Sequence, residues 1–146
     1  MYKKILVPLD GSKTAEGVLP HAKALAYAEK AEMILLNVVA NPAFEFAFSD
    51  PSIAAQTIAE EEESGRKYMA EIETQLKSEG YRVTTLIKGG SAANVILKTA
   101  EEIGADIIAM STHGRTGPAH WIIGSVAEKV VHHSKIPVML IRSNNQ

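Results

Sequence analysis

The sequence predicts an α/β fold built on a parallel sheet, and three observations lead to that class. Five short apolar runs with little charge alternate along the chain with segments of helical periodicity, the pattern of repeated strand–helix units. Uncharged runs are typical of strands covered on both faces. Capping and turn residues stand between the runs, and no repeat or linker interrupts the 146 residues. We therefore expect one domain over residues 1–146, with right-handed crossovers.

The first two strands are predicted over 4–9 and 32–39, both of them apolar runs. Ser12 follows the first strand and can cap the helix between them. Pro20 lies within that helix and should kink it or loosen its first turns. The helix has one apolar face, formed by Ala15, Val18, Leu19, Ala22, Leu25 and Ala26.

All three phenylalanines of the protein, at 44, 46 and 48, lie in a segment flanked by prolines. Their spacing of two could mark a short strand. With the flanking prolines, we favour a loop that folds onto the domain or onto a partner. The longest helix is predicted over 53–79, because apolar residues recur at helical spacing and Gly80 can end it. Its buried stripe is expected to contain Met69, Ile72 and Leu76.

The second half of the chain repeats the alternation. Strands are predicted over 82–87, 106–110 and 138–141, and the tail over 142–146 is polar and expected to fray. Ser91 is a plausible N-cap of the intervening helix, and Gly104 should end that helix. The apolar face of this helix is expected to contain Ala92, Val95, Ile96, Thr99, Ala100 and Ile103.

The stretch from 107 to 131 combines a buried strand, a glycine-bearing loop and a helix start. Gly114 and Gly117 allow sharp turns, and Ser125 with Glu128 matches a capping box in which Ser125 is the N-cap. Because a helix N-terminus can hold an anion, this stretch predicts a phosphate site. An equally open interpretation is a junction without a ligand, where Ser125 contributes about 1 kcal/mol as a cap. The nearby groups that are or can become positive are His113, Arg115 and Lys129.

Composition and motifs exclude several classes of function. A net charge of −2 gives no basic excess for nucleic acid, and the absence of cysteine excludes disulfides and zinc–thiolate sites. No run resembles a signal peptide or a membrane span, so we expect a cytoplasmic protein without membrane contact. The sequence contains no dinucleotide or P-loop fingerprint, no metal-ligand spacing and no catalytic triad, and no residue is assigned as catalytic.

Two motifs make the chain similar to the universal stress protein family. The opening stretch over 4–12, Lys-Ile-Leu-Val-Pro-Leu-Asp-Gly-Ser, resembles that family's first strand and turn. The family's nucleotide motif is glycine, two residues, glycine, nine residues, glycine, then serine or threonine. Here it corresponds to Ser111, Gly114, Gly124 and Ser125, with 115–123 as the spacer. Ser111 replaces the first glycine of the motif, and its hydroxyl could donate to an anion.

The resemblance implies a Rossmann-like sheet, of the adenine nucleotide alpha hydrolase type, with strand order 3-2-1-4-5 and helices on both faces. It also implies an adenine nucleotide, ATP or else ADP or AMP, with or without Mg²⁺. Asp10 would contact adenosine, with Pro8 and Val38 beside the base and Met110 near adenine or ribose. The residues that would surround the ribose and phosphates are Ser111, Thr112, His113, Gly114, Arg115, Gly124, Ser125 and Val126.

The family commonly pairs through its last strand, and the strand over 138–141 is an apolar edge with little charge to protect it. The resemblance therefore predicts a homodimer.

Three functions remain open at this point. The one we favour is a nucleotide-binding regulatory module of the stress response, with an unknown protein partner. A slow ATPase or phosphoryl- or nucleotidyl-transfer enzyme would depend on Asp10, assisted by His113. An interaction protein with a degenerate pocket is the interpretation that Ser111 favours.

Overall fold

The structure is a computed structural model, and it describes residues 1–39, 51–113 and 123–142. The predictions on Phe44 to Phe48, on Gly117 and on the last four residues of the tail lie outside the described residues. The elements in chain order are β1 Lys4–Pro8, α1 Lys13–Glu16, α2 Leu19–Glu29, β2 Glu32–Val39, α3 Pro51–Ser78, β3 Arg82–Gly89, α4 Ala92–Ile103, β4 Ile107–Ser111, α5 Ser125–His133 and β5 Val138–Ile141.

The five strands form one parallel sheet in the order β3-β2-β1-β4-β5. In the centre of the sheet, Ile5 of β1 is in register with Met33 of β2 on one side and Ile107 of β4 on the other. The α/β class and the strand order are therefore confirmed. From β1 the chain first adds β2 and β3 on one side and then crosses to add β4 and β5 on the other. The direction of winding therefore reverses between β1 and β4.

The helices lie on both faces of the sheet, each against its own apolar cluster. On one face, Ile5 and Val7 pack with residues of α1, α2 and α3, including the predicted stripe of Met69, Ile72 and Leu76. On the other face, Leu6 packs with residues of α4 and α5. Successive side chains of β1 point to opposite faces, so both clusters are anchored on this central strand.

The single helix predicted after β1 is in fact two helices. Ser12 is the N-cap of α1, as predicted, and its side chain accepts a hydrogen bond from the Ala15 amide. The chain leaves the helix at Gly17, and Pro20 lies in the first turn of α2. Proline lacks the amide that a continuous helix would need, whereas the first turn of a helix has no use for that donor. The apolar spacing continues across the break because both short helices face the same cluster.

The prediction that Ser125 is the N-cap of α5 was wrong. Gly124 occupies the cap position, Ser125 is the first helical residue, and no side chain of the described residues caps the helix start. Ser91 does hold the cap position of α4, also without a side-chain hydrogen bond, and Gly104 ends α4 with a φ of 65°. The capping-box pattern misled because Ser-x-x-Glu also occurs within a first helical turn: here Ser125 is at N1 and Glu128 at N4, one residue past the positions that a capping box uses.

At the amino ends of the strands, Asp106, the residue just before β4, holds the start of β1. Its Oδ2 atom accepts hydrogen bonds from the amides of Lys3 (2.8 Å) and Lys4 (2.9 Å). The Lys4 amide, followed by the Lys3 amide, lowers the pKa of the Asp106 carboxyl. This contact fixes the start of β1 against β4 and leaves the carboxyl ends of both strands to form the site described next.

Across the described ranges, every helix is too short or too polar to cross a lipid bilayer.

Candidate binding cleft

A cleft of about 780 Å³ lies over the carboxyl ends of the strands. It lies where β1 and β4 are neighbours, the place where open parallel sheets usually bind ligands. The sheet edge forms its floor. The amino ends of α4 and α5 lie on one side of it, and α1 and α3 lie on the other.

Ten of the twelve residues that the sequence singled out line this one cleft. Gly114 and Arg115 lie outside the described residues. The ten, which come from four separate parts of the chain, are Pro8, Asp10, Val38, Met110, Ser111, Thr112, His113, Gly124, Ser125 and Val126. The fold therefore brings them together, while their contact with a nucleotide stays a prediction.

Asp10 shapes the turn that leads from β1 into α1. Its Oδ1 atom accepts hydrogen bonds from both the amide and the hydroxyl of Ser12. The Ser12 hydroxyl oxygen then accepts from the Ala15 amide at 3.1 Å and caps α1. Asp10 thus has a structural role in the turn, and this turn holds its carboxylate at the cleft.

Ser111, which stands at the first glycine position of the motif, is buried at the end of β4. Its hydroxyl lies 3.1 Å from the carbonyl oxygens of both Thr14 and Ala15 and donates to them. A hydroxyl has one proton, so this donor is directed at the end of α1 and not at the cleft. Ser111 fastens β4 to α1, a role that a glycine could not perform.

The amino end of α5 is held close to the end of β4. The Gly124 amide donates to the Thr112 carbonyl at 2.8 Å, and the Thr112 amide donates to the Ile141 carbonyl at 3.0 Å. A Cβ atom at position 124 would lie 2.8 Å from the Thr112 carbonyl oxygen, so only glycine fits without a shift. The first amides of α5 have no partner within the helix and carry the positive end of its dipole.

His113 adds a polar group on the same side of the cleft. Its Nδ1 atom lies 3.1 Å from the Thr112 hydroxyl oxygen. Its Nε2 atom is buried and has no hydrogen-bond partner in the described part of the chain. A buried nitrogen of this kind is a candidate ligand contact.

Helix α3 forms a wall of the cleft that the sequence analysis missed. Its cleft-facing residues are Glu61, Ser64, Gly65 and Tyr68. Asn37 also lines the cleft without having been predicted, and its buried amide nitrogen donates to the Leu9 carbonyl at 3.0 Å. The one sequence signal for this wall was Gly65, because a glycine in the middle of a long helix often marks a place where another part of the protein packs closely against the helix.

The charges of the described lining residues are negative. Asp10 and Glu61 supply carboxylates, and no lysine or arginine in the described ranges lines the cleft. Nor do histidine, aspartate and glutamate side chains of residues 1–39, 51–113 and 123–142 form a group of three that could hold a metal ion. Within these ranges, the positive potential for an anion comes from the backbone at the starts of α4 and α5.

The fold and the cleft together define the class of protein. It is an open, doubly wound α/β protein whose cleft lies where the winding of the sheet reverses, the usual ligand-binding position in such folds. The model of the universal stress protein family matches residues 1–142. The chain therefore belongs to the universal stress protein family, as the two sequence motifs indicated.

The chain is similar to several members of this family. Universal stress protein MJ0577 of Methanocaldococcus jannaschii is 34% identical over 99% of this chain and 98% of its own length. Its solved structure matches with a TM-score of 0.89 and covers 100% of this chain and 99% of that one.

Two more distant structures match in fold. An Arabidopsis thaliana family member, At3g01520 with AMP bound, is 16% identical with a TM-score of 0.70, over 97% of this chain and 92% of that one. A universal stress protein in complex with cAMP is 19% identical with a TM-score of 0.64, over 98% of each chain.

Proposed function

We propose that this universal stress protein binds an adenine nucleotide, ATP foremost, in the cleft at the carboxyl ends of β1 and β4. In this proposal it acts as a regulatory module of the stress response, and nucleotide occupancy changes what the protein presents to a partner. The observation that carries the proposal is the uncapped start of α5, held against β4 by the Gly124–Thr112 hydrogen bond.

The shape and chemistry of the cleft support a nucleotide. Its volume of about 780 Å³ lies within the range of about 300–1,000 Å³ that holds small-molecule ligands. Pro8, Val38 and Met110 give it apolar surface that suits a purine base. The backbone amides at the start of α5 suit phosphates, which helix N-termini commonly bind. Two family members of the same fold hold AMP and cAMP, both adenine nucleotides.

The decisive experiment identifies what the protein carries. Freshly purified protein is denatured, and any released nucleotide is identified by mass spectrometry. We expect a stoichiometric adenine nucleotide. If the protein is empty, ATP at about 100 times its Kd should stabilise the fold by about 2.7 kcal/mol and raise Tm by about 5 to 10 °C.

Parallel titrations with ATP, ADP and AMP, each with Mg²⁺ or with EDTA, separate the phosphate requirement from the metal requirement. A protein that carries no nucleotide and gains no thermal stability from any of them would contradict the proposal. The interaction-protein hypothesis would then take its place.

We further infer that residues 1–146 act as one domain and that two copies pair through β5. The two edges of the sheet differ in chemistry. β3 carries Arg82, two threonines and Lys88, whereas β5 consists of four apolar, half-buried residues, Val138–Ile141. An apolar edge without charge favours pairing with another strand, and pairing about a two-fold axis covers both copies.

Sedimentation at micromolar concentration tests this pairing. We expect a species of twice the chain mass of 15.7 kDa. Backbone amides of β5 should then exchange with solvent more slowly than those at the β3 edge. A monomer at the same concentration would refute the pairing but would leave the nucleotide proposal unaffected.

A further inference from the structure

Tyr68 holds a buried hydroxyl that the fold itself does not use. The residue lies on α3, half-buried, and lines the cleft. Its hydroxyl oxygen is buried and has no hydrogen-bond partner in the described part of the chain. Tyrosine hydroxyls at buried positions usually find a partner, and an orphaned one calls for an explanation such as a bound ligand.

The surroundings of this hydroxyl are acidic. Burial raises the pKa of Tyr68 above its ordinary value; the Glu16 carboxylate, which attracts the phenol proton without meeting hydrogen-bond geometry, and then the charge of Asp10 raise it further. The phenol therefore keeps its proton through the neutral range and remains a hydrogen-bond donor. The two carboxylates are hydrogen-bond acceptors, so a group that enters here must be able to donate.

These properties disfavour a phosphate on this side of the cleft. A phosphate has acceptor oxygens and negative charge, and the Asp10 and Glu16 carboxylates would repel it. The start of α5, on the other side, offers backbone amides to an anion. A sugar hydroxyl both donates and accepts, so it can donate to a carboxylate while it accepts from the Tyr68 phenol.

We propose that Tyr68 is a specificity-determining residue that donates a hydrogen bond to a ribose hydroxyl of the bound nucleotide, beside Asp10. This inference rests on the proposed function, which has the phosphates at the start of α5, and adds that the ribose faces α1 and α3. It also identifies the ligand class as ribonucleotides, in preference to deoxyribonucleotides.

The test compares ATP with 2′-deoxyATP and 3′-deoxyATP in the wild type and in Tyr68→Phe, by calorimetry on the full-length protein. We expect the wild type to bind ATP about tenfold more tightly than the analogue that lacks the contacted hydroxyl. In Tyr68→Phe, the affinity for ATP should fall several-fold and the affinity for that analogue should stay unchanged, so their ratio decreases to the part that the hydrogen bond to the carboxylate contributes. Tyr81→Phe, outside the described cleft lining, is the matched control and should keep the wild-type ratio.

The outcomes are distinguishable from a failure of the proposed function. A wild type that binds no ATP overturns both proposals. A wild type that binds ATP and both deoxy analogues equally, or a Tyr68→Phe variant with an unchanged ratio, overturns the role of Tyr68 alone. In the last case the hydroxyl is satisfied within the protein, for example by Glu16. A merely structural role would change Tm but would not change the ratio between ligands.

Discussion

The Gly124→Val variant is expected to lose nucleotide binding by about 100-fold or more. The added Cβ would lie 2.8 Å from the Thr112 carbonyl oxygen, which also accepts the 2.8 Å hydrogen bond from the Gly124 amide. Because the clash is with backbone, no rotamer change relieves it, and the start of α5 must move away from β4. Loss of two amide–phosphate hydrogen bonds, each worth about 1.5 kcal/mol, accounts for this decrease.

Calorimetric titration with ATP measures the effect, and Gly80→Ala is the matched control. Gly80 has a φ of 95° and lies between α3 and β3, far from the carboxyl ends of the strands. An alanine there should lower stability by about 1 kcal/mol through backbone strain and leave ATP affinity unchanged. If Gly124→Val binds ATP as the wild type does, then α5 does not hold the phosphates.

Much of the fold could be predicted from the sequence because each element carried a local signal. Uncharged runs marked the strands, and Ser12 and Gly104 marked helix ends through contacts within a few residues. The break between α1 and α2 was missed because Ala15, Val18, Ala22 and the other apolar residues keep helical spacing across it. Periodicity reports which face is buried, and it does not report whether the backbone is continuous.

The predicted part of the site came from contiguous motifs, and the missed part came from tertiary packing. The residues after β1 and β4 were found because the strand-end rule and the family motif both locate them. Glu61 and Tyr68 lie more than 50 residues from Asp10 in sequence, and only the packing of α3 against the sheet brings them to the cleft. No local pattern distinguishes these two residues from other positions on a long helix.

Ser111 shows how a motif departure can have a structural reason. From sequence, its hydroxyl was a candidate donor to an anion. In the structure, it donates to the Thr14 and Ala15 carbonyls. That contact depends on the end of α1, whose position follows from the break before Pro20. The role of the serine could therefore not be deduced before the break was known.

Because α3 packs closely against β2 at Gly65, the sign of the stability change in a Gly65→Ala variant can be predicted and tested. Alanine is favoured over glycine by about 1 kcal/mol within a helix, so Gly65→Ala should stabilise an unconstrained helix. A Cβ at Gly65, however, would lie 2.7 Å from Asn37 Oδ1. The Asn37 side chain is buried and held by its hydrogen bond to the Leu9 carbonyl. We therefore expect Gly65→Ala to destabilise the protein by about 1 kcal/mol net, since overpacking outweighs the gain in helix propensity.

Removing the Asn37 side chain should reverse the effect, so that Gly65→Ala stabilises the protein. In an Asn37→Ala background, which itself costs about 1 to 3 kcal/mol through the lost buried hydrogen bond, Gly65→Ala should stabilise by about 0.5 to 1 kcal/mol. Urea denaturation of the four proteins in the cycle gives a coupling energy of about 2 kcal/mol. Ser64→Ala, on the exposed neighbour in the same helix, should change stability equally in both backgrounds. If Gly65→Ala stabilises both, then Asn37 yields freely and the glycine does not set how close α3 lies to the strand ends.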